Sequence, residues 1–285
     1  MRLRSQRTLC RPAAVSGPGY WSGRDCVVEL LPAPANAGLV FVRGDVGVGV
    51  RIPAAVEHRV EAMNRTTLAV AGVQVQLVEH CLSALAGLGV DACVVRVSAE
   101  ELPGLDGSAR AFVEAIDAAG LEDLAAPVDP LVVAGTVRVE EGEAWIEASA
   151  PRSAGLTVEY ELDYGPGPIG RQSLAVRVDP EVYRQGLAAA RTFISAAEAT
   201  RLRASGLGLA VTPQDLVVFG ADGPIGNTLR WSDECVRHKV LDLVGDLALV
   251  GRPLHAHVRC SRSGHRLNAA LAARLVALHG RRASA

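Results

Sequence analysis

The chemistry this sequence offers is concentrated in a few residues. Between residues 236 and 250 it reads V-R-H-K-V-L-D-L-V-G-D-L-A-L-V, with Val240, Leu241, Val244, Leu247 and Ala248 recurring at helical spacing. His238, Asp242 and Asp246 follow the same period on a neighbouring stripe. Side chains four residues apart stack along one helix face, so an imidazole at 238 and a carboxylate at 242 can reach one divalent cation. Lys239 sits between them. It is the only lysine among 29 basic residues, which leaves 28 arginines and a single compact primary amine.

Glu79-His80 adds to this set. Two histidines and one carboxylate, His80, His238 and Asp242, leave the fourth position of tetrahedral zinc open, as catalytic rather than structural sites do. Glu79 would then be a base for the water. His265, in S-G-H, lies where a glycine permits close approach and suits an accessible acid. Asp246, one turn beyond Asp242, either holds the His265 ring and raises its pKa or is an ordinary charge on a helix surface. His255 and His257 form a rival pair, alternating on a strand and facing one way. Spacing alone leaves them open as ligands; with no carboxylate visibly placed beside them, surface imidazoles are the simpler account.

These residues need elements to hold them. Residues 77–88 read as a helix stopped by glycines, 91–97 as a buried strand, and 109–119 as a helix that Ser108 or Asp106 caps. The glycine-rich stretch S-G-P-G-Y-W-S-G at 16–23 is either a tight exposed turn or a ligand-facing loop. Residues 121–130, with two prolines and acidic groups, read as a linker. Beyond it strands resume, followed by short helices at 180–187 and 196–204, the helix at 236–250, a strand at 255–260, a loop at 261–264 and a last helix at 268–279. Strands and helices in each half predict an α+β protein of two similar domains, 1–124 and 125–285, with the site between them.

The bulk numbers exclude some classes. A net charge of −2 over 285 residues gives no clustered positive field for nucleic acid or an anionic membrane. No stretch reaches the ~18 to 20 apolar residues of a membrane span, and the N-terminus has no apolar run of signal-peptide length. Six cysteines without a C-x-x-C pair point to a reducing, cytoplasmic compartment.

Several strings together resemble a known family. They are Q-R-T-L, L-P-A-P-A-N-A-G, V-E-H-C-L-S-A-L-A-G-L-G-V-D, L-D-G-S-A-R-A-F-V, A-R-T-F, V-R-H-K-V-L-D-L-V-G-D-L and S-G-H-R-L-N-A-A-L, in order along nearly the whole chain. The sequence resembles the zinc-dependent UDP-3-O-acyl-N-acetylglucosamine deacetylases of lipid A biosynthesis. The resemblance implies a zinc ion on His80, His238 and Asp242, with Glu79 as general base and His265 as general acid oriented by Asp246. Thr192 would stabilise the oxyanion, and Phe193, Lys239 and Arg262 would contact the substrate. The implied fold is a β-α-α-β sandwich with helices between the sheets and a small βαβ insert at about 193–219 forming an acyl channel. The implied partner is a UDP-linked acylated amino sugar; separately from the resemblance, a monomer is the expected state.

The sequence also departs from the family. The pattern G-V-G-L-H-S-G becomes G-P-G-Y-W-S-G, which puts Tyr20 and Trp21 at substrate-facing positions, and Leu77 replaces a usual threonine. Ala210-Val211 replaces paired glycines, and Thr212-Pro213-Gln214-Asp215-Leu216 replaces smaller residues. These bulkier groups should narrow or block the channel. A zinc amidohydrolase for a related N-acyl amino-sugar nucleotide with a short or absent acyl chain is the second reading, and a non-catalytic binding paralogue the third.

Overall fold

A computed structural model describes residues 4–46 and 49–280, so the first three residues of the N-terminal stretch lie outside it. The first half contains β1 (Ser5–Leu9), β2 (Ala13–Pro18), β3 (Asp25–Pro32), β4 (Leu39–Arg43) and β5 (Val50–Pro53). A three-stranded sheet of β6 (Arg59–Val60), β7 (Thr67–Val70) and β8 (Val73–Gln76) follows. Next come α1 (Glu79–Gly87), β9 (Cys93–Val97), α2 (Arg110–Ala119) and β10 (Leu121–Pro127). The main sheet of this half has the order β2-β3-β9-β4-β5. Its strands alternate as a one-sided sheet demands: Cys26, Val28 and Leu30 of β3 are fully buried, while Asp25, Val27 and Glu29 point to the open face.

The second half contains β11 (Leu131–Val132), β12 (Val137–Glu141), β13 (Ala144–Ser149), β14 (Leu156–Asp163), β15 (Arg171–Val178) and α3 (Pro180–Gly186). After β16 (Phe193–Ser195), α4 (Ala196–Ala204) and β17 (Val217–Phe219) come α5 (Glu234–Leu247), β18 (Leu254–Ser261) and α6 (His265–His279). The sheet order is β12-β13-β18-β14-β15, with β11 beside β18. Strands β16 and β17 pair in parallel across α4, forming a βαβ unit at 193–219.

Two sequence expectations need correction here. Most of the linker expected at 121–130 is strand β10, paired antiparallel with β1 so that Leu9 faces Leu121 and Ser5 faces Pro127. In a two-stranded sheet its outer edge pairs with nothing, so a proline costs no ladder bond. The last helix begins at His265 rather than at 268.

Helix α1 packs on α5, α5 on α6, β14 and β15, α2 on β2, and α6 on β12 and β13. The architecture is therefore α+β with helices between two sheets. Both central helices are buried almost all round, including Leu82, Leu85, Val240 and Leu241, each worth ~1.5–3 kcal/mol of apolar burial. Gly245 permits their close approach, because a Cβ there would collide with the Glu79 carbonyl oxygen. Ser83 Oγ donates to the Leu241 carbonyl at 2.7 Å, and the Tyr183 hydroxyl donates to Ser83 Oγ at 2.8 Å. Leu77 (φ 61°) and Arg262 (φ 53°) adopt left-handed backbone just ahead of α1 and α6. Such turns cost ~1–3 kcal/mol each and gather at functional sites; here they aim Glu79, His80 and His265 inward.

Candidate active site

The polar stripe of α5 is buried: His238, Asp242 and Asp246 are between 0% and 3% exposed. Opposite it, the first turn of α1 presents Glu79 and His80, also buried. The donor atoms of His80, His238 and Asp242 all lie within 4.8 Å of one another. His238 Nε2 is 3.2 Å from Asp242 Oδ1, and His80 Nε2 is 3.6 Å from it. Yet Asp242 Oδ1 is buried with no hydrogen-bond partner. Its other oxygen accepts from Lys239 Nζ at 2.9 Å. His238 Nδ1 faces the Ala190 carbonyl at 3.0 Å, which can only accept, so Nδ1 carries the proton and Nε2 presents a lone pair. A buried carboxylate oxygen without a donor is costly unless a cation meets it. The three groups fit a divalent metal by this orphaned oxygen and by their donor chemistry.

Electrostatics agree with that arrangement. Burial lowers the His238 pKa and keeps the ring neutral. Burial would raise Asp242, but the Lys239 ammonium on its other oxygen opposes this, and the carboxyl is held well below its usual range. Lys239 is raised above the ordinary lysine value: burial opposes its charge, and Asp242 more than compensates.

The acid and base flank this trio. Burial pushes Glu79 from 4.5 up to about 7, and its Oε2 accepts from the Thr66 backbone N–H at 2.9 Å. His265 Nδ1 lies 2.9 Å from Asp246 Oδ2. Asp246 also accepts from Thr66 Oγ1 at 2.6 Å and Asn268 Nδ2 at 2.8 Å, so it is no surface charge. Burial disfavours the charged His265 ring, but Asp246, with Asp242 and Glu79 behind it, raises its pKa from 6.5 to about 9. The ring is held as an acid.

A cavity of about 1100 Å³ opens over these groups. The residues given roles by the resemblance, and Tyr20 and Trp21, all line it except Asp246, which lies behind His265. Phe193 meets Tyr164, Phe219 and His238 edge-on, with ring centroids 5.5 to 6.4 Å away. Thr192 is pinned on both sides, its N–H donating to the Gly107 carbonyl at 2.7 Å and its carbonyl accepting from Val217 at 2.9 Å. Arg262 stands on the rim, paired with Asp163 at 2.8 Å and with Glu143. The 16–23 loop faces the cavity: Glu101 accepts from the N–H groups of Trp21 and Ser22 at 2.8 Å, and Arg65 lies 4.9 Å from the Trp21 ring centre.

The cavity continues into the βαβ insert, where Ile194, Leu202, Leu207, Val211 and Val218 line it. Of residues 210–216, expected to narrow or block the channel, Val211, Thr212, Pro213 and Leu216 line the cavity. His255 and His257 are outside this cavity. His257 Nε2 instead meets Glu159 at 2.9 Å across neighbouring strands, a carboxylate partner that spacing had not placed.

The family model for UDP-3-O-acyl N-acetylglycosamine deacetylase matches residues 6–277. The chain belongs to that family. A UDP-3-O-acyl-N-acetylglucosamine deacetylase of Solibacter usitatus is 39% identical over 275 residues, covering 96% of this chain and 92% of the relative. Those of Anaeromyxobacter dehalogenans and Brucella ovis are 38% identical, covering 96% and 92% of this chain and 88% and 92% of the relatives.

Within this family member, sequence reasoning missed Thr66, Asn268 and Tyr164. Asn268 had a signal, since it lies one helical turn after His265 and shares its face. Thr66 had none. It sits at the edge of the three-stranded sheet, and only tertiary packing brings it to both Glu79 and Asp246.

Proposed function

We propose that this chain hydrolyses the N-acetyl group of UDP-3-O-acyl-N-acetylglucosamine with a zinc ion held by His80, His238 and Asp242. The observation that carries the reading is the orphaned Asp242 oxygen beside two imidazoles, at a cavity floor flanked by Glu79 and His265. Two histidines and a carboxylate are a donor set that suits zinc. When bound, zinc acidifies water and polarises the amide carbonyl.

The chain's own groups supply the remaining steps. Glu79, anchored at Oε2 by Thr66, accepts the attacking water's proton on its carboxylate. The Thr192 hydroxyl donates to the carbonyl oxygen as negative charge grows there. His265 delivers its Nε2 proton to the departing amine nitrogen, and Asp246 at Nδ1 keeps the ring charged until then. A positioned acid of this kind contributes ~10²- to 10⁴-fold. Phe193 offers an apolar wall, and the acyl chain lies along the insert's aliphatic lining. Arg262 and Lys239 face the diphosphate, which competes with Asp163 and Glu143 for the Arg262 fork. The six cysteines are unpaired, in keeping with a protein of the reducing cytoplasm. Among the described residues no helix is long and apolar enough to cross a membrane.

Release of free amine from UDP-3-O-acyl-N-acetylglucosamine, measured with zinc-loaded protein over a series of acyl lengths, tests the reading. Absence of turnover at every length overturns it. An amidohydrolase for a sugar nucleotide lacking the acyl chain would leave the insert side of the cavity unfilled.

A further inference from the structure

The turn at 19–23 and the loop at 210–216, far apart in sequence, meet in space. Tyr20 Oη donates to the Asp215 carbonyl at 2.6 Å, across 195 residues of chain. A side chain at Gly23 would project to within 3.7 Å of Ala210 Cβ. Beneath the Tyr20 ring lies the turn before α2: a Cβ at Gly104 would collide with the ring, and one at Gly107 would fall 3.0 Å from the hydroxyl and 2.8 Å from the Asp215 carbonyl. The tyrosine is thus sandwiched between that turn and the insert. Burial keeps its phenol well above the ordinary pKa, so it remains a donor at working pH.

The loop it holds is shaped but otherwise tied to its own half. Asp215 Oδ2 accepts from the Thr212 N–H at 2.7 Å and from Thr212 Oγ1 at 2.8 Å. Asn227 Nδ2 donates to the carbonyls of Pro213 and of Leu216, the latter at 3.2 Å. Val211, Pro213 and Leu216 line the cavity. Among the described residues, the hydrogen bond that ties this wall to the first half of the chain is therefore the one from Tyr20.

We propose that Tyr20 is a specificity-determining residue: its hydrogen bond to the 212–216 loop fixes that wall of the cavity and sets the acyl length the cavity accepts. The proposal rests on the deacetylase reading. A leucine at 20 could fill the space above Gly104 but could not reach the Asp215 carbonyl.

The test is Tyr20→Phe, which removes one oxygen and keeps the ring. Zinc-loaded wild type and variant are compared on short-, medium- and long-chain UDP-3-O-acyl-N-acetylglucosamine, and amide hydrogen exchange is followed at 211–217. In the variant these amides should exchange ~3- to 10-fold faster, the equivalent of one neutral hydrogen bond. KM for the preferred length should rise by a similar factor with kcat unchanged, and discrimination between lengths should flatten. Unchanged exchange overturns the clasp, and faster exchange with an unaltered ranking of kcat/KM across lengths overturns its role in specificity. Wild-type protein that turns over none of the substrates overturns the deacetylase reading and the specificity claim with it, whereas exchange still reads the clasp by itself.

Discussion

Replacing Asp246 by asparagine keeps the shape of the side chain and its capacity to accept from His265, but removes the charge that holds that ring protonated. The ring pKa should fall from about 9 to 6.5 or below, because burial then acts with less opposition. That fall corresponds to ~3.4 kcal/mol of coupling, as an upper bound. At about pH 7.5 the wild-type ring in metal-free protein is ~97% protonated and the variant ring ~10%, so kcat/KM of the loaded enzyme, where both values lie lower, should fall by ~10-fold or more. Stability carries the same sign. A folded pKa raised above the unfolded value stabilises fully below ~6.5 and loses that contribution as pH rises through about 9. The pH-dependent part of the Asp246→Asn destabilisation should therefore be largest near pH 6 and vanish above pH ~10. NMR titration of the His265 ring in metal-free protein reads the shift directly. In the loaded enzyme the cation lowers both values together, and the difference between wild type and variant persists. An alkaline limb of kcat/KM at the same pH in both proteins, or an unshifted ring titration, would refute the reasoning.

Three further perturbations separate the roles of neighbouring groups. Glu79→Ala should retain zinc and lose turnover, whereas Asp242→Ala should lose zinc; metal analysis with activity checks the pair, and the reverse pattern contradicts the assignment. Thr66→Val keeps the N–H bond to Glu79 but removes the hydroxyl on Asp246, a bond to a charged group worth ~1.5–3 kcal/mol. With that donor gone the carboxylate pulls harder on the His265 proton, so the alkaline limb should move up in pH, opposite to that of Asp246→Asn, and an unmoved limb would show that Thr66 does not tune the acid. Gly245→Ala forces a methyl against the Glu79 carbonyl and should cost ~1–3 kcal/mol of overpacking. The melting temperature should drop by several degrees, and an unchanged value would mean that the helices separate freely.

Much of the site was legible because helical period is a local property. His238, Asp242 and Asp246 share a stripe whatever surrounds them, and Glu79-His80 opens a helix in plain view. What sequence could not carry was pairing between distant elements. The residues at 121–130 look polar and broken, yet they extend along β1 because that strand's edge is available. Glu159 and His257 come together through the register of β14 against β18. Arg262 reads as a free fork until Asp163 and Glu143 are seen beside it. Which of residues 210–216 face the cavity depends on where the loop after α4 stands, which side-chain volume does not give.

An unprotonated amine beside a reacting amide carbonyl is a rival nucleophile, able to take the acetyl group and end as an acetylated lysine. Lys239 lines the cavity where that exchange would occur. Its lone pair is occupied by a proton, because Asp242 more than offsets the burial that would strip it. The other 28 basic residues are arginines, whose delocalised guanidinium stays charged and does not compete. The protein thus exposes almost no side-chain amine to the acyl chemistry proposed for it, and the one it keeps is masked by the same carboxylate that faces the metal position.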